Sequence, residues 1–293
     1  MTDLLITGGS GYVGWNLARF FAAQMDTTVA DLAAEPTRPM PADCMYIQMD
    51  VRDEASVNLA MERAKPQVVI HAAGNKDVKE CEDHPDRAFE INALGTRNVA
   101  RACRRAGAFM VYLSTDLVFA GDAGNYRQND TPRPRLVYGK TKLQGEQMAV
   151  AELDDLAICR TAGVFGKTSP LLNWLDGQLR SGIVTEAYID VFNSPTYADN
   201  LAEMIATIIL RRMTGVFHTA GAERANRLTL FKAYAEIFSL DGALLRPAEY
   251  GSPSEGLLLH DSSLSVEASA AALGVHFNCI REAMLRFRDS GGL

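Results

Sequence analysis

Short apolar runs alternate with longer amphipathic segments through the first 160 residues of the chain. The apolar runs cover residues 4–6, 28–30, 46–48, 68–70, 109–113 and 156–158. Apolar side chains recur at helical spacing between them, over residues 12–25, 54–65, 86–106 and 136–153. Strands that alternate with helices in this way form a parallel sheet with crossover helices on both faces. The pattern predicts a doubly wound α/β fold.

The pattern becomes less regular after Gly166. It predicts a helix over residues 171–179, a strand over 187–192, a helix over 199–212 and a strand over 216–219. We therefore expect one large domain over residues 1–166. Residues 167–293 are expected to form mainly a smaller C-terminal lobe, with some of its elements returning to the main sheet.

Composition narrows the range of partners. The chain has 293 residues, of which 47% are hydrophobic, and its 36 acidic and 29 basic residues give a net charge of −7. An acidic balance disfavours a nucleic acid or an anionic membrane as the partner. Five cysteines without C-x-x-C spacing favour a reducing cytoplasm over a disulfide framework, and no metal site is expected. We expect neither a signal peptide nor a membrane span.

The first predicted strand leads into a glycine-rich turn. Gly8, Gly11 and Gly14 follow one another at three-residue spacing, with Tyr12 and Val13 between the last two, and the next predicted helix begins there. A glycine turn lets the backbone approach a pyrophosphate, and the helix N-terminus offers free amide groups to it. The alternative is a glycine-rich turn that binds nothing, since such spacing is a weak signal alone.

Residues after the second and third predicted strands bear on the choice of cofactor. Asp31 ends the second strand, where a carboxylate accepts hydrogen bonds from the adenosine ribose and repels a 2′-phosphate. NAD is therefore favoured. NADP stays open, because Arg38 in the following loop could hold a phosphate. Asp50 and Val51 follow the third strand and could meet the adenine, with helix capping as the alternative.

Candidate catalytic groups lie in two places. Tyr138 and Lys142 stand four residues apart on a predicted helix, so phenol and ammonium share one face. A nearby cation lowers a tyrosine pKa, which suits a general acid or base at a carbonyl oxygen. Thr115 ends an apolar strand at the sheet edge where ligands bind, and its hydroxyl could orient a substrate oxygen. The alternatives are that Tyr138 and Lys142 form an ordinary surface pair and that the Thr115 hydroxyl only caps a helix or turn.

These residues belong to an ordered set of motifs that covers nearly the whole chain. The set comprises the glycine turn, Asp50, His71-Ala72-Ala73-Gly74, Asn92 with Gly95-Thr96-Arg97-Asn98, Ser114-Thr115-Asp116, Tyr138 and Lys142 with Gly145-Glu146, and Arg160-Thr161-Ala162-Gly163-Val164-Phe165-Gly166. In this order the motifs resemble the extended short-chain dehydrogenases/reductases that act on nucleotide sugars.

The resemblance implies roles for individual residues. Tyr138 would be the catalytic acid/base. Lys142 would be its electrostatic partner and would bind the nicotinamide ribose. Thr115 would supply a hydroxyl that contacts the substrate. Asn92 would support the helix that carries the proton relay. The further cofactor-binding positions that the resemblance implies are Ala72, Ala73, Gly74, Lys76 and Thr161. The substrate would be a nucleotide sugar.

Within that family, the segments 114–121 and 194–202 resemble dTDP-4-dehydrorhamnose reductases, which reduce a 4-keto sugar. Lys76 and the turn around Tyr12 are more similar to the epimerase branch. Leu117, directly after Asp116, cannot serve as the acid or base that a dehydratase needs there. An NAD-dependent epimerase and a non-catalytic, cofactor-binding regulatory subunit therefore stay open as alternatives, as does a homodimer.

Side chains in the C-terminal half were also considered as substrate ligands. Arg180, Arg224 and Arg227 are candidates for the nucleotide diphosphate, although a solvated surface position is the alternative for each. Asn173 and Trp174 could shape a sugar pocket, with a buried aromatic anchor as the alternative for the tryptophan.

Overall fold

The computed structural model of the protein describes residues 3–251 and 256–292. The strands are β1 (Leu4–Thr7), β2 (Thr27–Asp31), β3 (Met45–Gln48), β4 (Val68–His71), β5 (Phe109–Thr115), β6 (Leu156–Thr161), β7 (Val164–Phe165), β8 (Thr185–Tyr188), β9 (Phe192–Asn193), β10 (Thr196–Tyr197), β11 (Gly215–His218), β12 (Ala225–Asn226) and β13 (Leu245–Ala248). The α-helices are α1 (Tyr12–Phe21), α2 (Glu54–Ala64), α3 (Val78–Asp83), α4 (Pro85–Phe89), α5 (Gly95–Ala106), α6 (Val137–Glu152), α7 (Pro170–Arg180), α8 (Ala198–Arg211), α9 (Arg227–Ile237), α10 (Glu267–Leu273) and α11 (Ile280–Asp289).

Seven strands form one parallel sheet in the order β11-β6-β5-β4-β1-β2-β3. The chain enters the sheet at β1, runs out to β3, returns to β4 beside β1, and continues to the other edge. Strand order reverses between β1 and β4, and ligands bind above such a reversal, outside the carboxyl ends of the strands. The predicted doubly wound α/β fold is confirmed.

Both faces of the sheet are covered, as its continuous apolar strands require. Successive residues of β1 point to opposite sides, so Leu4 and Ile6 join one hydrophobic cluster and Leu5 joins another. The first cluster includes side chains of α1 and α8, and the second includes side chains of α2 and α5. The sheet edge that carries the ligand site is thus held rigidly between two cores.

The C-terminal half builds a third hydrophobic cluster around α7, α9 and α11. Three two-stranded sheets, β7 with β10, β9 with β12, and β8 with β13, lie among these helices. Strand β11 lies in the main sheet beside β6, while α8 packs against α1. The boundary after Gly166 between a cofactor domain and a substrate lobe stays a prediction. Within the described residues, no helix combines the length and apolar character needed to cross a membrane.

Three predicted elements differ from the structure. The helix predicted over 86–106 is interrupted by a π-helical turn at Glu90–Leu94 and begins as the separate helix α4. The strand predicted over 187–192 is divided between β8 and β9, which belong to different sheets. The helix predicted over 12–25 ends at Phe21. Apolar spacing alone detects neither a π turn nor a change of sheet partner, because both depend on tertiary contacts.

Candidate active site

A cavity of about 410 Å³ opens above the carboxyl ends of β1 to β6. Its lining includes every residue that was predicted to bind the cofactor: Gly8, Gly11, Tyr12, Val13, Gly14, Asp31, Asp50, Val51, Ala72, Ala73, Gly74, Lys76, Tyr138, Lys142 and Thr161. Residues far apart in sequence meet here because parallel strands all end at the same edge of the sheet.

The glycine turn has the shape that a bound pyrophosphate requires. Gly8 has a φ of +66°, and a Cβ added there would lie 2.5 Å from Ala73 Cα. A Cβ on Gly14 would lie 2.3 Å from the Gly8 carbonyl oxygen. At Gly11, the N-cap of α1, only that same oxygen, at 3.1 Å, lies within 4 Å of an added Cβ among the described residues. The turn is therefore tight on its inner side and open towards the cavity.

Polar groups without protein partners face this cavity. No side chain of the described chain caps the N-terminus of α1, so its first amide groups are available to an anion. Thr161 Oγ1 is buried, lines the cavity, and has no hydrogen-bond partner among the described residues. Buried polar groups are normally paired, so these atoms fit a polar ligand such as a dinucleotide.

Asp31 is fixed at the far end of the glycine turn. The Ser10 amide and hydroxyl donate to Asp31 Oδ2 at 3.0 and 2.6 Å, and the Leu32 amide donates to Oδ1 at 2.8 Å. Oδ1 retains acceptor capacity, and the carboxylate faces the cavity. Arg38, the competing residue, donates to Thr168 Oγ1 at 2.8 Å, and its guanidinium lies 5.7 Å from the centre of the Tyr12 ring in the cavity lining.

Asp50 and Val51 form another part of the wall. Arg52 binds both oxygens of the Asp50 carboxylate, which lowers the pKa of Asp50. The Asn98 side-chain Nδ2 donates to the Val51 carbonyl at 2.9 Å, so α5 holds this loop in place. A Cβ on Gly95 would lie 2.7 Å from Val51 Cγ2, which explains the glycine where α5 begins.

Tyr138 stands partly exposed in the cavity wall on the first turn of α6. Burial, and then the neighbouring Asp116 carboxylate, raise the pKa of Tyr138 above its usual value, while the nearby Thr115 hydroxyl acts to lower it. Thr115 itself lies just behind the cavity lining, 6% exposed. The phenol is therefore protonated at neutral pH.

Lys142 occupies the next turn of α6 but is directed into the protein. Its Nζ donates to the Leu113 carbonyl at 2.6 Å and lies 4.0 Å from the centre of the Tyr112 ring. Burial lowers the pKa of Lys142 to about 7, although Glu146 acts in the opposite direction. Burial and Asp116 set the direction of the shift at the Tyr138 phenol, and a lowering effect of Lys142 on it stays a prediction.

Asn92 ties the cofactor loop to the catalytic helix. Its amide nitrogen donates to Thr141 Oγ1 and to the Asn75 carbonyl, both at 3.0 Å, and its oxygen accepts the Asn75 amide at 2.7 Å. Thr141 lies between Tyr138 and Lys142 on α6. The π turn at Glu90–Leu94 carries Asn92, which lies behind the cavity wall and is fully buried.

His71, at the end of β4, is enclosed by hydroxyl groups. Its ring nitrogens lie 2.6 Å from Thr7 Oγ1 and 3.1 Å from Thr96 Oγ1, and burial lowers its pKa to about 3. The imidazole is therefore neutral at physiological pH. Among the described residues, no group of three His, Cys, Asp or Glu side chains is arranged to hold a metal ion.

Several residues of the site escaped the sequence analysis. Ser114, Asn75, Arg52 and Arg87 line the cavity. Ser114 and Asn75 each lie next to a predicted site residue, so their positions in the sequence could have identified them as cavity residues. Arg87 lies on α4, within the helix predicted over residues 86–106, but no sequence signal placed its side chain at the cavity. Asp116 was quoted within a motif, but its contact with the site depends on the fold.

The three candidate arginines have different surroundings. Arg180 is exposed and paired with Asp176. Arg224 pairs with Asp261 and lies over Phe192, with 3.5 Å between guanidinium and ring centre. Arg227 lies near Tyr188, and burial lowers its pKa. Asn173 and Trp174 are exposed on α7, and the indole is 48% exposed. The buried anchor considered for this tryptophan is therefore wrong.

Comparison with known proteins agrees with this geometry. The profile of a family described as RmlD substrate binding domain matches residues 1–290. The dTDP-4-dehydrorhamnose reductase of Mycolicibacterium smegmatis is 32% identical, over 83% of this chain and 72% of that protein. Methionine adenosyltransferase 2 subunit beta of Xenopus tropicalis is 28% identical, over 83% of this chain and 74% of that protein.

Among solved structures, the hypothetical dTDP-4-dehydrorhamnose reductase of Sulfolobus tokodaii superimposes with a TM-score of 0.82 at 30% identity, over 94% of this chain and 97% of that one. The resemblance found in the sequence motifs is thus confirmed. Because the profile spans nearly every residue, the chain belongs to the RmlD substrate binding domain family.

Proposed function

We propose that the protein is an NAD(P)-dependent reductase of a 4-keto group on a nucleotide-linked sugar. The observation that carries this proposal is the Tyr138 phenol at the wall of the dinucleotide cavity, on the same helix as Lys142 and close to Thr115. Reduction of a carbonyl adds a hydride to carbon and a proton to oxygen. The acid must be protonated when each cycle begins, and the raised pKa of Tyr138 keeps the phenol protonated at neutral pH.

A bound nicotinamide dinucleotide supplies the hydride. The protein's own groups then have separate tasks: Tyr138 holds the proton, the hydroxyl of Thr115 orients the carbonyl oxygen, and Lys142 binds at the nicotinamide ribose. The glycine turn and the N-terminus of α1 receive the pyrophosphate. Leu117 adds no second acid or base, which favours simple reduction over dehydration.

The regulatory alternative draws on one observation, the similarity to a methionine adenosyltransferase subunit beta. Thr115, Tyr138 and Lys142 are all present around the cavity, and a subunit without catalysis would not need them. An epimerase would use the same three residues. The reaction itself therefore has to distinguish the three functions.

We expect the protein to reduce a dTDP-4-keto-6-deoxysugar and to oxidise one NADH or NADPH for each sugar molecule reduced. The assay mixes protein, sugar and excess NADH or NADPH, and follows cofactor absorbance together with product mass. A gain of two hydrogens in the product supports the reductase. Interconversion of sugar epimers without net cofactor oxidation supports the epimerase, and no reaction across a panel of nucleotide sugars supports the regulatory subunit.

NAD(H) is expected to bind at least about tenfold more tightly than NADP(H), because a 2′-phosphate would lie against the Asp31 carboxylate. Calorimetric titration of both cofactors measures the ratio. Asp31→Ser should reduce the preference, while the control Arg38→Ala should leave it unchanged, since Arg38 is bound to Thr168. Equal affinities in the unaltered protein would contradict the role given to Asp31.

Location and assembly also belong to this proposal. All five cysteines are free, which favours a reducing compartment, and we propose the cytoplasm. A homodimer is proposed as the assembly, and light scattering would distinguish it from a monomer of 31.9 kDa.

A further inference from the structure

A buried aromatic ring lies beneath Lys142 at the edge of the cavity. Lys142 Nζ is 4.0 Å from the centre of the Tyr112 ring, which it overlies. The Tyr112 side chain is fully buried on β5. Its ring stacks with that of His71 on the neighbouring strand, with 5.5 Å between the ring centres and 20° between the ring planes. The plane of the aromatic ring under the ammonium is therefore fixed by its neighbours.

Helix α6 is fitted closely over the same ring. A Cβ on Gly145 would lie 2.5 Å from the Tyr112 hydroxyl oxygen and 2.6 Å from the Asn92 carbonyl oxygen. Gly145 follows Lys142 by three residues, so the two positions share one face of the helix. The glycine thus lets α6 approach Tyr112 closely enough for Lys142 to reach the ring. Burial raises the pKa of the Tyr112 phenol, so the ring is uncharged near pH 7.

The ammonium of Lys142 has one further contact within the protein. Its Nζ donates to the Leu113 carbonyl at 2.6 Å, the one hydrogen bond that the described residues offer it. An ammonium has three N–H groups and can rotate about a single hydrogen bond. Contact with the Tyr112 ring adds a second fixed point. Because Lys142 also lines the cavity, its remaining N–H groups are available to a ligand there.

We propose that Tyr112 is a positioning residue for Lys142, and that its ring face holds the ammonium where a ligand in the cavity meets it. A cation is attracted to the negative face of an aromatic ring, and the attraction is stronger at a desolvated site. The inference rests on the proposed function in one respect, since Lys142 is there assigned to the nicotinamide ribose. The contact of ammonium and ring does not depend on the reaction.

The other ionisable groups around Lys142 are Glu146 and Tyr138 on α6 and His71 on β4. Burial lowers the pKa of His71 to about 3 and raises that of Tyr138, so both are neutral near pH 7. Glu146 acts to raise the pKa of Lys142, and its carboxylate is paired with Arg160 at 2.7 Å. The charge of these groups stays constant near pH 7, so a titration there reports on Lys142 itself.

The test is carbon-13 NMR of protein labelled at lysine Cε, with the Lys142 signal identified by its loss in Lys142→Met. In the unaltered protein the midpoint should be about 7. Tyr112→Phe retains the ring and should move the midpoint by less than about 0.3 pH units. At position 112, 3,4,5-trifluorophenylalanine nearly retains the shape but withdraws negative charge from the ring face. It should lower the midpoint by about one pH unit, because the charged form loses its attraction.

The control places the same fluorinated residue at position 165. Phe165 is as deeply buried as Tyr112 but belongs to the C-terminal cluster, so the Lys142 midpoint should not move. If the trifluorinated protein does not fold, 4-fluorophenylalanine at position 112 should give a smaller shift in the same direction. Equal midpoints for phenylalanine and its fluorinated forms at position 112 would overturn the inference, whatever the protein catalyses.

Calorimetric titration separates this inference from the proposed function. Relative to Tyr112→Phe, trifluorophenylalanine at position 112 should raise the dissociation constant of NAD about fivefold at about pH 7, because fewer molecules carry a charged and oriented Lys142. ADP has the adenosine and pyrophosphate but no nicotinamide ribose, so its affinity should stay the same. A lowered midpoint with unchanged NAD affinity would support the ring contact and contradict the ribose contact of the proposed function.

Discussion

Tyr138→Phe is expected to lower kcat for reduction by about 10²–10⁴-fold, the usual contribution of a general acid. The substitution removes the transferable proton and leaves the ring in place. The dissociation constant of the dinucleotide should therefore change by less than about threefold, or about 0.6 kcal/mol. Steady-state kinetics and calorimetric titration measure the two quantities separately.

Tyr234→Phe provides the matched control. It removes a phenol that donates to Asp176 at 2.9 Å in the C-terminal cluster, away from the cavity. We expect it to cost some stability and no turnover. Undiminished turnover in Tyr138→Phe would instead show that another group supplies the proton. Because the pKa of Tyr138 is raised, its deprotonation should not limit kcat near neutral pH.

Much of the fold and of the cofactor cradle follows from local sequence. Apolar strands such as residues 68–70 and 109–113 are short and continuous, and their carboxyl ends fix where ligands bind. Gly14 is required by its close contact with the Gly8 carbonyl within one turn, and Gly8 by its close approach to Ala73 after the neighbouring strand β4. Asp31 ends β2, the strand that follows that turn and helix α1. These features depend on neighbours in sequence or on the rules of parallel sheets, so they can be predicted.

The parts that could not be predicted depend on contacts between distant residues. Ser262 reaches Asp116 across 146 positions of sequence, and no periodicity encodes that meeting. The π turn places the Asn92 side chain where it hydrogen-bonds to Asn75 and Thr141, and these contacts exist only in the folded protein. The four-residue spacing of Tyr138 and Lys142 placed both on one helix, but it did not show that the ammonium binds the Leu113 carbonyl.

Lys142→Met is expected to lower kcat/KM by about 10²-fold or more and to weaken dinucleotide binding as well. Methionine retains the length of the side chain but offers no donor to the ribose and no charge beside the reacting groups. The control Lys140→Met changes an exposed lysine two residues earlier on α6 and should affect neither quantity. Unchanged dinucleotide affinity in Lys142→Met would contradict the assignment of this ammonium to the ribose.

The same variant should have the opposite effect on stability. Because the folded-state pKa of Lys142 is lowered to about 7, the unfolded chain binds more protons than the folded chain from about pH 7 to about pH 10. The contribution of Lys142 to the free energy of unfolding therefore rises from about pH 7 to about pH 10. The buried ammonium destabilises the folded protein most below about pH 7. Lys142→Met removes the buried charge, so its melting temperature relative to the unaltered protein should be higher at about pH 6 than at about pH 9. Thermal unfolding followed by circular dichroism at both pH values measures the difference. An equal difference at the two values would mean that Lys142 keeps an ordinary pKa in the folded protein, and that its charge is compensated by Glu146 more fully than its burial suggests.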